Sequence, residues 1–528
     1  MKKLLALGLA ICMLLSLAAL AENRFVKREV EWPITTDDIT IKVMGPKQAL
    51  HIEWADMDLW KWLGEETGLK FEFNTPTAES FREQLSMVMS SGDLPDLIIG
   101  AGFNAADIVN YGVQQHLLAP MDEYFDVAPH IQKACEDYPE IYAAHVAEDG
   151  HVYEVGTISL PIWTATSRHL FLNTTWLERV GMDIPTTIDE YHDVLLAFKE
   201  QDANGNGDTD DEIPLGGQKG MDALRSTILS AYGLLTNSFE IERATGEVVY
   251  APITENYKEY LRTMHEWWEE GLLDTDMFSQ DGTSMNARAA QDLYGSFAGL
   301  ASFVVAPASM IHDFDMLTPL TSELNDSPLQ FYNGAFNIGT AAISSQSQYI
   351  NECMMLLDWM FTKEGVLSVS YGPHNYGFVE ETGAHYFILE DGTGGSNDSW
   401  RAQLTFAPGM AIPVNMRASA DSYDAFYSDS VNNYNNSILW AQLNEHALPY
   451  IHFAQPKVIW TSDESAAIAT ITDMTNYVLT MEAQFINGEA DIDADWDTYV
   501  SAVKSYGYDA IYDAYLSAWT RYSEQTAQ

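Results

Sequence analysis

The chain has 528 residues, 47% of them hydrophobic, and carries 77 Asp and Glu against 26 Lys and Arg, a formal net charge of −51. The apolar share supplies a large core, over a length that makes roughly two to four domains or lobes. The charge excludes affinity built on neutralising nucleic-acid phosphates or an anionic membrane surface. An acidic, soluble protein with neutral, cationic or locally screened ligands remains.

The first element reads as an export signal. Met1-Lys2-Lys3 precedes an apolar run from Leu4 to Leu20, and Ala19-Leu20-Ala21 has the A-x-A form that signal peptidase cuts. Residues 1–21 are therefore expected to be a cleaved signal peptide, whose loss makes the mature chain more acidic by the charge of Lys2 and Lys3. Cys12 follows Ile11 and precedes more apolar sequence, which argues against lipidation there. Of the remaining cysteines, Cys135 and Cys353 allow one bridge or two free thiols.

Alternating apolar and polar residues predict a strand over Ile39–Met44, broken by Gly45-Pro46. Trp54–Gly68 reads as a helix with Leu59, Trp62 and Leu63 on one face and Gly68 as its cap. Leu69–Asn74 is a second strand, Phe81–Ser91 a helix closed by Gly92, and Leu97-Ile98-Ile99 a buried strand. Strand and helix alternating over so short a stretch indicates βαβ units, so the fold class is α/β with a parallel sheet. Ligands of such sheets bind at the carboxyl ends of the strands. The loops there, Gly45–His51, Asn74–Ser80 and Gly100–Ala105, carry His51, Asn74, Thr75, Thr77, Phe103 and Asn104. Gly100–Ala105 also fits G-x-G-x-x-A, but it follows the third strand rather than the first, so a tight strand-to-helix turn is the better reading than a dinucleotide site.

Asp202-Ala203-Asn204-Gly205-Asn206-Gly207-Asp208-Thr209-Asp210-Asp211-Glu212 has the alternating oxygen donors and sharp-turn glycine of an EF-hand-type calcium loop. Asp202, Asn204, Asn206, Asp208 and Asp210 are the expected ligands of a structural Ca2+, completed by Asp211 or Glu212, because Ile213 stands at the twelfth position. A second acidic run, Glu489 to Asp497, lacks the glycine and reads as the acidic start of a helix. With 14 Trp, 27 Tyr and 22 Phe the chain has many rings on which sugars can stack. Trp176, Trp267, Trp268, Trp359 and Trp519 fall in helical patterns and are expected in the core, whereas Trp163, Tyr332, Tyr376 and Trp400 fall in loops. No G-x-S-x-G elbow, H-E-x-x-H helix or P-loop occurs, although a pair of glycosidase carboxylates has no such signature.

Several ordered segments resemble extracellular solute-binding proteins of family 1, the substrate-binding components of ABC importers, and in particular their lipoprotein-type oligosaccharide binders. Ser90–Ile98 is similar to an SGD-x-PD segment, Asp149–Tyr153 to DGK-x-Y, Leu172–Gly181 to N-x-x-WL-x-x-x-G, and Pro185–Glu190 to P-T-T-x-x-E. The Asp202 loop resembles that branch's calcium site, and Phe485–Val500 its closing helices. The resemblance implies a periplasmic-binding-protein-like class II fold, two α/β lobes with a ligand cleft between them. Residues 30–163 and 322–375 would form lobe one, and 164–321 and 376–528 lobe two, with crossings near Leu160–Thr164, Pro319–Glu323 and Gly372–Tyr376. That map places Phe103 and Asn104 at the cleft, Trp163 and Arg168 close to the hinge, and Phe303, Tyr376 and Trp400 as further candidates; with loop-placed Tyr332 these are the expected ligand-binding residues. The expected function is that of a non-enzymatic, monomeric, periplasmic or cell-surface protein. It would capture a neutral oligosaccharide and deliver it to ABC permease subunits; the net charge argues against polyanionic sugars unless Arg168 or Arg417 supplies a local positive patch. A secreted, calcium-stabilised glycoside hydrolase or lyase is the alternative.

Overall fold

The computed structural model describes residues 29–159, 166–243, 245–307, 309–332, 334, 336–373, 378–381, 384–387, 398–416 and 439–526. The signal segment, Trp163, Tyr376 and Arg417 lie outside the described residues. The chain forms two compact units, Met1–Ser159 with Phe336–Asn436 and Leu160–Ala335 with Ser437–Gln528.

The first unit is built on strands β1 (Thr40–Met44), β2 (Lys70–Asn74), β3 (Leu97–Ile99) and β4 (Val155–Ile158). β1 lies between β2 and β3, parallel to both, as the βαβ pattern requires. The helices Asp58–Thr67 and Ala78–Ser91 make the crossovers, and each ends at a glycine in the left-handed region, Gly68 and Gly92. The first helix buries Leu59, Trp60 and Leu63. Trp62 instead packs against Trp32 and Trp359, with centroids 5.5 and 5.7 Å away.

The second unit holds β5 (His169–Asn173), β6 (Ile213–Gly216), a hairpin of β7 (Phe239–Ile241) and β8 (Val248–Tyr250), β9 (Tyr294–Gly299), β10 (Phe314–Met316) and the short β11 (Gln330–Phe331). Its four-stranded sheet has the order β10-β5-β9-β6, with only β6 and β9 parallel. Two sequence motifs are helix caps here. Asn173 Oδ1 accepts from the Trp176 amide at 3.0 Å, buried Trp176 anchors the helix Thr174–Val180, and Gly181 closes it. Thr187 and Glu190 form a capping box on Ile188–Glu200. Asp491 caps Ile492–Ser505 by accepting from the Asp493 and Ala494 amides, so the second acidic run is a helix start.

β12 (Phe336–Ile343) returns to the first unit and completes its sheet in the order β2-β1-β3-β12-β4, antiparallel to β3 and β4. Buried Glu154 holds it there, one carboxylate oxygen accepting from the Gly339 amide at 2.7 Å and the other paired with His145. Gly339 sits at φ +71°, where the ladder to β4 shifts register, and a Cβ on it would lie 1.9 Å from the Phe103 carbonyl oxygen. Residues 398–416 stay with this unit, in contrast to the expectation that everything beyond 375 joins the second lobe, because Phe406 is buried among first-unit rings. Cys135 and Cys353 are free thiols.

The second unit's core is cross-braced by Arg225, whose Nε and Nη2 donate to Glu482 at 2.8 Å each while Nη1 reaches Asp222. Both members of the Arg225–Glu482 pair are buried, and Tyr260 Oη donates to the same carboxylate. Glu482→Ala strands a buried cation and is expected to lower stability by about 3–5 kcal/mol. A denaturant midpoint unchanged from the parent protein would contradict this role.

Candidate functional site

The carboxyl ends of β1 and β3, where the sequence places ligand loops, are covered by residues 405–414. Phe406 stacks on Trp54 and Trp60, with centroids 5.2 and 5.4 Å away, in a cluster that includes Phe73. His51 Nε2 lies 2.8 Å from the Pro408 carbonyl oxygen, and burial holds its imidazole below the ordinary range. Met410 lies against Gly100: a Cβ on that glycine, at φ +68°, would come 2.1 Å from its terminal methyl. Thr157 Oγ1 donates to the Ile412 carbonyl at 2.5 Å, and the Ile158 amide donates to Val414 at 2.8 Å. This segment has neither helical nor strand periodicity, and Pro408-Gly409 and Pro413 are the sequence marks it carries.

The expected ligand residues therefore divide. Phe103, expected as a ligand contact, is buried, its ring 6.0 Å from that of Tyr111, and its amide donates to the Gly339 carbonyl, so that it packs as a core group. Asn104 is exposed, and its side chain works as the N-cap of Ala105–Ile108 in a capping box with Asp107. Phe303 is half-buried against the cluster around Phe171, Phe297 and Phe314. Tyr332 and Trp400 are half-buried, and the Tyr332 ring packs 5.9 Å from that of Phe453. Arg168, at the head of β5, has its guanidinium carbon 4.2 Å above the Phe331 ring. These two residues line a recess with Ser226, Ser230, Thr318 and Gln330.

The acidic loop before β6 is a ladder of side-chain-to-backbone turns. Asp202 accepts from the Gly207 amide, Asn204 from Asn206, Asn206 from Asp208, and Asp208 from Asp210, at 2.7–3.2 Å. Gly205 and Gly207 take the positive φ values this curl needs, +77° and +91°. Asp211 turns inward and accepts from the Asn204 and Asn206 side-chain amides at 3.0 and 2.8 Å. Glu212 Oε1 accepts from the Ala203 amide at 2.9 Å, and burial raises the affinity of its carboxyl for a proton. Two buried carboxylate oxygens, Asp202 Oδ1 and Glu212 Oε2, have no hydrogen-bond partner. Among the described residues no three His, Cys, Asp or Glu side chains converge as a metal site. The loop supplies two amide side chains beside its acids, a donor set of the kind hard cations take.

The fold is periplasmic-binding-protein-like, class II. The chain belongs to the bacterial extracellular solute-binding protein family, whose profile matches residues 49–366. Over 486 residues it is 26% identical to the fructooligosaccharide ABC transporter substrate-binding protein FusA of Streptococcus pneumoniae serotype 4 (strain ATCC BAA-334 / TIGR4), covering 88% of this chain and 86% of that one. Solved structures of FusA with kestose, and of a FusA EF-hand mutant with fructo-nystose, share its fold at TM-scores of 0.74 and 0.72. Both are 22% identical and cover 92% of this chain and 99% and 98% of theirs. An HMO-binding, ABC-transporter-associated solute-binding protein of Bifidobacterium longum infantis ATCC 15697 reaches a TM-score of 0.77 at 18% identity, covering 93% of this chain and 98% of that one.

Phe406→Ala empties the space beside the mutually stacked Trp54 and Trp60 rings and is expected to cost about 3–5 kcal/mol. Thermal melting checks this, and an unshifted transition would show that the 405–414 segment is not part of the first unit's core.

Proposed function

We propose that this protein is the exported substrate-binding component of an ABC importer, which captures an oligosaccharide and presents it unchanged to the permease. The observation that carries this reading is the similarity to FusA, which extends over both units rather than one motif. The sequence adds the export signal and the absence of familiar hydrolase motifs. The protein is read as a monomer in the periplasm or at the cell surface, with no catalytic residue and no lipid at Cys12. Half-buried Trp400 and Tyr332 remain the ring candidates for sugar contact among the described residues. A thermal-shift screen of neutral glycans with kestose included tests the reading. Stabilisation by at least one oligosaccharide is expected, whereas stabilisation by peptides or amino acids alone would overturn it.

The Asp202 loop is proposed to hold a structural Ca2+. Asp202 Oδ1 and Glu212 Oε2 are buried and unpartnered, and a cation there would satisfy both. Asn204, Asn206, Asp208, Asp210 and Asp211 would supply the remaining oxygens, with the amides turned carbonyl-inward. Chelation is expected to lower the melting temperature of the parent protein and to leave that of Asp202→Ala unmoved. Identical parent melting curves with and without chelator would contradict the site.

A further inference from the structure

We propose that Arg168 forms a subsite for one carboxylate-type group on the captured sugar, a proposal that rests on the carbohydrate-carrier reading. Every other described arginine has an acceptor. Arg82 pairs with Asp107, Arg225 with Glu482, Arg262 with Asp493, Arg288 with Asp274, and Arg521 with Glu464. Arg179, Arg243 and Arg401 donate to the carbonyls of Ala203, Pro328 and Ser370. The Arg168 guanidinium makes no hydrogen bond or ion pair among the described residues, in a chain with 77 acidic side chains against 26 basic ones. With so many carboxylates at hand, an unpaired guanidinium calls for a reason of its own.

Its position is built rather than incidental. Gln330 Nε2 donates to the Arg168 carbonyl at 2.9 Å, and the Phe331 face supports the guanidinium from one side. Burial weakens its hold on the positive charge, and the carboxylate that acts on it, Asp222, is itself engaged by Arg225 at 2.8 Å. Neighbouring hydroxyls are also committed: Ser226 donates to the Leu235 carbonyl and Ser230 to Thr227, each at 2.7 Å. Next to it, buried His169 is pushed down to about 4 and is neutral at physiological pH, so the charge at the head of β5 is Arg168's. The enclosed part of the recess holds about one water-sized group and the rest opens to solvent, so a sugar ring stays outside and only a small acidic tip reaches the guanidinium. A carboxylate, which only accepts hydrogen bonds and matches the guanidinium fork, completes these donors better than a hydroxyl, which brings a proton of its own.

The test titrates the parent protein, Arg168→Gln and Arg168→Lys with kestose, digalacturonate and sodium acetate, after ligand-free melting curves show that each variant folds. Digalacturonate is expected to bind the parent about 10- to 100-fold more tightly than it binds Arg168→Gln, with partial rescue by Arg168→Lys. Kestose affinity is expected to change far less. Equal digalacturonate affinity in parent and Arg168→Gln, or no digalacturonate binding, would overturn the subsite while kestose binding leaves the carrier reading standing. An Arg168-dependent response to acetate with no response to either sugar would overturn the sugar as source of the anion, and the glycan screen decides the carrier reading separately.

Discussion

The architecture depends on one carboxylate buried in the first unit. The sheet of strands drawn from residues 40–158 is unfinished until β12 arrives from far along the chain, and Glu154 receives it through the Gly339 amide. A buried carboxylate without partners costs several kcal/mol, so Glu154 strongly favours the arrangement in which Gly339 and His145 are both in place. The geometry leaves room for nothing but glycine at 339, where the Phe103 carbonyl occupies the space of a Cβ. It also sets the domain plan: Leu160–Ala335 is inserted between the two parts of the first unit, whose sheet β12 completes.

The same economy governs the segments that mark the family. Asn173 with Trp176 and Gly181, and Thr187 with Glu190, are a cap-and-anchor and a capping box. Asp96 accepts from the Lys42 amide and from Ser347, and the Tyr153 hydroxyl donates to Asp149. These residues hold helix ends and turns and touch no site described above. They mark a scaffold on which different ligands can be carried, which is why they identify the family more readily than the cargo.

Much of the first unit was legible because local signals and burial agreed. The strands and the glycine stops fall where the pattern of residues 39–99 puts them, while the first helix starts at Asp58 rather than Trp54 and the second at Ala78 rather than Phe81. The acidic loop was legible for a related reason, since its alternating Asp and Asn build their turns locally. The binding residues were harder to read. Phe103 sits in a loop by sequence, yet its ring is inside, because the loop folds back on Gly339, a partner more than two hundred residues away. Likewise His51 has the chemistry of a ligand residue but is spent on Pro408, in a segment with no periodicity to announce it. What sequence reading lacks in both cases is the long-range contact that decides whether a polar or aromatic side chain faces solvent or core.

Arg168 is the converse, a residue proposed for what it leaves unpaired among the described residues. The large negative charge first argued for neutral cargo, and one desolvated guanidinium permits a single acidic group without reversing that argument. The carrier reading itself is tested most directly by titration calorimetry with whichever oligosaccharide stabilises the protein, followed by mass analysis of the recovered sugar. One saturable site per chain, with the sugar recovered intact after prolonged incubation, is the expected result; shortened sugar, or no binding of any oligosaccharide, would contradict it.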